Sequence, residues 1–324
     1  YKYAAEQATS VVKDIVISIG RTGAATPVAV FDPVQVAGTT VQHASLHNAD
    51  EIKRLDIRIG DIVLLHRAGD VIPKVNEVNL SKRTGSERIV SLPAHCPSCN
   101  SLLHILPDDV IIRCDNGLSC PTQLVRSIIH FASKDALDID GLGTKQIEFL
   151  QAVGFINNPV DIFFLEEKNS QSLTKLENMS GWGARSVENL FNSIKEAKRT
   201  TLARFIYSLG IRQIGQSNAK ILAKEFGNIK DFINSMLLLV EGDEEKYYQL
   251  RSLEGFADKT VNDIRNFFSC KQNVDTINQL VNILTIEDYE NNTISSSITG
   301  LNVIFTGTLN SISRNEAKAR AEKL

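Results

Sequence analysis

Residues 139–150 read Ile139-Asp140-Gly141-Leu142-Gly143-Thr144-Lys145-Gln146-Ile147-Glu148-Phe149-Leu150, and the pattern returns three more times along the chain. The later copies centre on Ser180-Gly181-Trp182-Gly183, Gln213-Ile214-Gly215 and Glu254-Gly255-Phe256-Ala257, at intervals of 32–42 residues. Four residues before the last turn position stand Ile139, Met179, Ile211 and Leu253. Four residues after it stand Ile147, Val187, Ala219 and Val261, and seven after it Leu150, Leu190, Leu222 and Ile264. Offsets of three and four place these side chains on one face of a helix that begins at the turn. The repeating unit is therefore helix, glycine hairpin, helix.

Glycine lets the hairpin turn tightly and lets another molecule come close to its backbone. The second helix starts at that point, so its unpaired N–H groups and positive dipole end face outward toward an anion. Two residues past the turn come Lys145, Arg185, Ser217 and Lys259, a cation in three of four copies. The unit resembles the helix-hairpin-helix motif, which grips nucleic-acid phosphates without reading bases. A purely structural helical repeat is the plainer alternative, and the recurrent cation favours phosphate. The candidate DNA-contacting residues are Gly141, Gly143, Lys145, Gly181, Gly183, Arg185, Arg212, Gly215, Gly255 and Lys259. Ala257 replaces the second glycine of the fourth bend, so a weaker grip is expected there. The acidic run Glu241–Glu245 reads as a solvated loop.

Upstream of the repeats, four of the five cysteines fall as Cys96-x2-Cys99 and Cys114-x5-Cys120. A tight C-x2-C turn lets two thiolates meet one ion, and zinc takes four such ligands in a tetrahedron. Cys96, Cys99, Cys114 and Cys120 are expected to hold a structural Zn2+, with His95 and His104 as bystanders. A pair of disulfides is the other reading, disfavoured without a secretory signal or other cysteine-dense region. Cys270, beside Phe267 and Phe268, reads as a small buried apolar residue.

Residues 11–80 read as about five short strands with one helix, opened by Asn48 as an N-cap, between the third and fourth. That order fits a small Greek-key barrel of the OB type, with an SH3-like barrel as the alternative. Ser81–Ser86 reads as a polar loop. Arg21, in the Gly20–Gly23 turn, and Arg67 are the barrel's candidate DNA contacts; surface salt bridging is their plainer reading.

Of 324 residues, 43% are hydrophobic and 23% charged, and no apolar run nears the ~20 residues of a membrane-spanning helix. The net charge of -3 conceals opposite segments. Residues 121–230 carry 14 basic against 11 acidic side chains, whereas 231–295 carry 5 against 12. Local basic surface, not the total, decides binding to a polyanion. The first residue is Tyr1 and the last lies in a helical pattern, so the sequence reads as a piece of a longer protein.

The order of parts makes the resemblance specific. Gly20-Arg21-Thr22-Gly23, Leu46-His47-Asn48-Ala49-Asp50-Glu51-Ile52 and Arg67-Ala68-Gly69-Asp70-Val71-Ile72-Pro73 precede the cysteines and the four bends. Together they closely resemble the NAD-dependent DNA ligases of bacteria. The resemblance implies a multidomain α+β chain. Its parts are the end of an adenylation domain at 1–5, an OB-fold domain at 6–85 and a small four-cysteine zinc finger at 86–121. They continue with an all-α helix-hairpin-helix domain at 122–285, a linker at 286–297 and the truncated α/β start of a BRCT domain at 298–324. It also implies sealing of 5′-phosphate/3′-OH nicks in duplex DNA through enzyme-adenylate and DNA-adenylate intermediates, with NAD and Mg2+. The family's nucleophilic lysine sits in Lys-x-Asp-Gly, which this sequence lacks, so the fragment alone is expected not to self-adenylate. Tyr1-Lys2-Tyr3 matches the motif whose lysine contacts AMP, which assigns Lys2 to the cofactor. A monomer in the bacterial cytosol, associated with the nucleoid and not with membrane, is the implied setting. The alternative is a non-catalytic zinc, OB and hairpin module of a repair or architectural protein.

Overall fold

An alternating run of 13 residues, Gln7–Ile19, forms the first strand, β1, in the computed structural model. The structure describes residues 6–68, 72–105, 110–290, 301, 303–305, 317 and 321. The chain divides into two compact units between residues 195 and 196.

In the first unit β1 is followed by β2 (Ala25–Val36), β3 (Thr39–Ser45), α1 (Ala49–Leu55), β4 (Ile62–Ala68) and β5 (Ile72–Val78). The strands form one antiparallel sheet in the order β3-β2-β1-β4-β5, and β3 and β5 approach each other at its ends. The length of β1 makes this possible, because one strand serves two partners. Gln7–Val11 pairs with β4, and Val12–Ile19 pairs with β2 across a register shift between Val12 and Asp14. The extra residue twists the strand and curls the sheet. Five strands, with a helix between the third and fourth, give the OB arrangement. The core is aliphatic with one aromatic: Val12, Ala29, Phe31, Leu46, Leu55, Val63, Leu65 and Val75 are buried together. Asn48 caps α1 as expected, its Oδ1 accepting from Glu51 N at 3.0 Å.

The segment after β5 is more than a polar loop. Leu80–Lys82 is a turn of 3-10 helix, and Arg83 reaches back to the fully buried side chain of Asp61. Its Nε and Nη2 donate to the two Asp61 oxygens at 2.8 Å each, and Nη1 donates to Asp56 at 2.6 Å. Asp61 also accepts from Arg58 N at 2.7 Å, so its charge is fully engaged. Glu87 closes the loop by accepting from Thr84 N and Gly85 N, which holds its carboxyl down at about 2. Arg88 pairs with Ile59, carrying the barrel's contacts past residue 85.

The short hairpin β6 (Leu103–Ile105) and β7 (Ile112–Cys114) follows, then α2 (Pro121–Ala132), α3 (Thr144–Ala152), α4 (Leu165–Gln171) and α5 (Ala184–Ala197). Proline at the first position of α2 is preset for a helix start. The division between units falls in the last turn of α5.

The second unit contains β8 (Arg199–Thr201), α6 (Leu202–Ser208), α7 (Gln216–Phe226), α8 (Ile229–Glu241), α9 (Glu244–Arg251), α10 (Asp258–Ser269), α11 (Lys271–Ile283) and β9 (Thr285–Glu287). Edge-to-face contacts link Phe226, Phe232, Phe268 and Phe267 at centroid separations of 5.4–5.8 Å. Three sequence expectations change here. The linker expected from residue 286 does not start there, because Thr285–Glu287 pairs in parallel with Arg199–Thr201 and Tyr289 N donates to Gly227 O. The run 241–245 is a junction of helices: Glu241 ends α8, Gly242 is its C-cap, Asp243 caps α9, and Glu244 and Glu245 open it. Cys270 is exposed, because it sits at the break between α10 and α11 where neither apolar face continues. Lys2 and the rest of 1–5 lie outside the described residues, as do 291–300 and most of 301–324. No helix among the described residues is long and apolar enough to cross a membrane.

Removing Arg83 leaves Asp61 buried and uncompensated. Arg83→Ala is expected to lower the unfolding free energy by about 3 kcal/mol, measured by urea denaturation.

Candidate metal centre and nucleic-acid interface

The four sulfurs of Cys96, Cys99, Cys114 and Cys120 lie within 4.8 Å of one another, and those of Cys99 and Cys114 are 3.5 Å apart. A zinc tetrahedron with bonds of about 2.3 Å has edges of roughly 3.8 Å, so the cluster fits that ion. Two local turns aim the thiols. In the first, Asn100 N donates to Cys96 O and Cys96 N to Ser101 O, with Asn100 in a left-handed conformation at φ 59°. In the second, Gly117–Ser119 forms a 3-10 turn that delivers Cys120 to the start of α2. A hydrogen bond with Ser101 brings the Cys99 thiol down to about 6, whereas burial pushes Cys114 up to about 12 and Cys96 upward. A coordinated cation reverses that penalty and holds all four as thiolates. Among the described residues, neither His95 nor His104 joins this cluster. Four protein ligands leave no open position for substrate, so the site is structural.

The cluster is built onto the barrel. Cys96, Cys114 and Cys120 are buried with Ile19 and Ala25 of β1 and β2. The Gly20–Gly23 turn joins the same contact: Cys114 N donates to Gly23 O at 2.9 Å, and Gln123 Nε2 to Cys114 O at 3.0 Å. Gly23 has φ 80°, and a Cβ there would lie 2.1 Å from Cys114 O. The backbone that comes close to this glycine is thus the chain's own. Arg21 is half-buried and lines a cleft of about 510 Å³ with Arg126 and His130 of α2 and Thr144 of α3. Arg67 is half-buried too, its Nη1 donating to Ala37 O at 3.0 Å.

The four bends share one backbone solution. Their first turn positions, Gly141, Gly181, Gln213 and Gly255, have φ of 86°, 84°, 63° and 80°. Gln213 holds the left-handed conformation without glycine, at about 1 kcal/mol. The second position is different. Gly143, Gly215 and Ala257 have φ of -75°, -83° and -97°, extended values that any residue adopts. Conformation therefore does not require glycine there, and Ala257 fits the fold. A Cβ at Gly183 or Gly215 would meet nothing within 4 Å, and one at Gly143 only Gln146 Oε1. These glycines keep space open in front of the helix.

Between the two positions each bend places an apolar side chain inward: Leu142, Ile214 and Phe256 are buried, and Trp182 is half-buried against Phe149 at 6.3 Å. This plug was visible in the sequence only as an apolar residue recurring mid-bend. With the plug held inside, the flanking backbone lies outside. Gly141, Gly143, Gly181, Gly183, Gly215 and Gly255 are exposed, as are Lys145, Arg185 and Lys259, while Arg212 is half-buried. Helices α3, α7 and α10 start with no side-chain cap. Of the other helices, α1, α6, α8 and α9 are capped by Asn48, Thr201, Asn228 and Asp243, whereas α2, α4 and α11 also lack a side-chain cap. Uncapped amides at an exposed helix start suit an anion.

The bends pack in pairs within each unit. Asp140 N donates to Ser193 Oγ at 2.8 Å, with Gly141 against Leu190. In the second unit Gly255 lies against Asn218, whose Nδ2 donates to Gln213 O at 2.8 Å. Sequence reading missed Gly23, Gln123 and Asn218, each of which acts through a partner distant along the chain or in another repeat.

Comparison with known proteins bears on each part. Residues 9–87 match the family model of the NAD-dependent DNA ligase OB-fold domain, and residues 95–121 that of the NAD-dependent DNA ligase C4 zinc finger domain. Residues 204–277 match the helix-hairpin-helix motif. Proteins named DNA ligase from Rickettsia bellii (strain OSU 85-389), Rickettsia africae (strain ESF-5) and Rickettsia canadensis (strain McKiel) are each 54% identical over 310 residues. Each alignment covers 96% of this chain and 45% of the relative, so the chain spans about half the length of the curated relatives it matches.

Metal analysis is expected to return about one zinc per chain, and chelation to unfold residues 95–121 as read by amide exchange. Gly23→Ala forces the turn away from Cys114. It is expected to weaken zinc retention in a chelator competition and to lower stability by more than about 1 kcal/mol, while Gly38→Ala, whose Cβ would meet nothing within 4 Å, leaves zinc retention intact.

Proposed function

We propose that this chain, which matches the OB-fold and C4 zinc-finger models of the NAD-dependent DNA ligases and the helix-hairpin-helix motif, holds nicked duplex DNA while the full protein seals it. The bend geometry carries this reading. Four left-handed first positions, with open glycines at three second positions, leave the bend backbone exposed beside Lys145, Arg185 and Arg212; in the second bend Gly183 N also donates to Ser186 Oγ at 3.0 Å. Main-chain amides and cations bind phosphate irrespective of base, as an enzyme that joins any two ends requires. The fourth bend offers Gly255 and Lys259, and also Asp258.

In the barrel, Arg21 and Arg67 are the proposed backbone contacts. Arg21 is held in the cleft beside α2 and Arg67 by its hydrogen bond to Ala37 O, which favours positioning over free sampling. The zinc cluster's part is mechanical: it fixes the Gly20–Gly23 turn, and so Arg21, to α2. Lys2 is proposed to meet the phosphate of AMP, where a cation offsets charge developing during transfer. NAD supplies the adenylyl group in this chemistry. The one grouping of three or more His, Cys, Asp or Glu among the described residues is the cysteine cluster. By the family reading Mg2+ and most NAD contacts lie outside this chain, with Lys2 as its proposed contact to the AMP portion. A monomer in the bacterial cytosol follows from the same family reading.

Fluorescence anisotropy on duplexes of unrelated sequence tests the proposal. Affinity is expected to be equal across sequences and to fall steeply with salt. Lys145→Glu and Arg185→Glu are each expected to weaken binding several-fold on every sequence and to lower the salt slope by about one. Binding confined to one sequence, or indifferent to salt, would contradict it.

A further inference from the structure

The fourth bend differs from the other three at the residue that opens its helix. Thr144, Ala184 and Gln216 hold this position in the first three bends, and Asp258 holds it in the fourth. A carboxylate in the first turn of α10 lies at the positive end of that helix, where an anion is stabilised. Asp258 is also tied down. Its Oδ1 accepts from Tyr247 Oη at 3.0 Å and from Arg251 Nε at 2.8 Å. Arg251 in turn donates from Nη1 to Phe256 O at 3.0 Å, clamping the carboxylate to the bend itself. Arg265 lies over the Tyr247 ring at 5.3 Å and completes the cluster.

Charge around the bend points the same way. Residues 254–259 include two acids and one base, residues 140–145 one of each, and residues 180–185 and 212–217 one base and no acid. Ala257 adds a methyl group where the other bends keep glycine. The bend nevertheless stands beside a phosphate-binding candidate, since Gly255 packs against Asn218 in the first turn of α7.

We propose that the Asp258 carboxylate, held by Arg251 and Tyr247 at the opening of α10, repels DNA phosphate from the fourth bend, so that within this unit DNA backbone is gripped at the third bend alone. The inference rests on the reading that these bends bind DNA phosphate. Asp258 thereby sets the edge of the binding surface: a backbone held at Gly215 meets a carboxylate, not amides, at the neighbouring bend. A merely structural role for Asp258 in starting α10 makes the opposite forecast, lost stability with no gain in affinity.

The test is duplex binding by the full chain with Asp258→Asn, read by anisotropy across a salt series, with thermal unfolding as the fold control. Binding is expected to tighten about threefold to tenfold, with a salt slope steeper by about 0.9. The converse variant, Gln216→Asp, moves the carboxylate to the third bend and is expected to weaken binding by a similar factor. Should Asp258→Asn fail to fold, Asp258→Ser retains a hydroxyl that starts a helix and carries the same forecast. Unchanged or weaker binding by the folded variant, with the parent chain binding DNA, overturns the assignment of Asp258 alone. A parent chain that binds no duplex at any salt overturns the DNA-binding reading, and this inference with it.

Discussion

A backbone that turns through one left-handed residue and buries the next side chain has little choice about its following amides. They emerge on the outer side, at the start of a helix whose own carbonyls cannot reach them. In this chain the constraint is met four times, with φ between 63° and 86° at the first turn position. The buried plug at Leu142, Ile214 or Phe256 anchors the bend to its unit's core. The exposed bends are thus a by-product of hydrophobic packing, and the hydrophobic term stabilises the geometry proposed to meet an anion. Because burial of the plug fixes the bend before any ligand arrives, little ordering remains to be done on binding.

The same economy governs the joint between barrel and zinc cluster. Two glycines bracket Arg21, yet the close approach at Gly23 is by Cys114, one of the four cysteines. The metal ligands, the first β-turn and α2 form one contact region, so metal binding and barrel geometry are coupled through the Cys114–Gly23 hydrogen bond, the bridge between Ala24 and Arg113, and the Gln123 amide. A small zinc ribbon has too little apolar surface to be rigid alone. Burial of three of its thiols against Ile19 and Ala25 supplies the rest.

Charge is placed with similar care. The buried Asp61 carboxylate is answered by Arg83 and by a main-chain amide, which ties the segment after β5 to the barrel. Asp258, in contrast, is exposed and paired with Arg251, an arrangement that contributes little stability. Its consequence is for what can approach the bend. One carboxylate serves the fold and the other shapes the surface.

The sequence determined the parts. Apolar residues at offsets of three and four announced helices, the C-x2-C and C-x5-C spacing announced a tetrahedral site, and Asn48 announced its helix. Each of these signals is local, because its physical cause acts within one or two turns of chain. What only the tertiary structure decided is which of those local devices faces another part of the protein and which faces outward. Gly23 and Gly183 are both glycines in tight turns, but a Cβ on the first would collide with Cys114 and a Cβ on the second would meet nothing within 4 Å. Cys270 belongs to an apolar-looking run and is exposed because two helices break there. Ile286 and Glu287 look like the start of a linker and belong with Thr285 to a strand, because its partner lies at Arg199–Thr201. Contacts between residues far apart along the chain leave no periodic trace in the sequence, since the pairing energy depends on where folding brings the two segments.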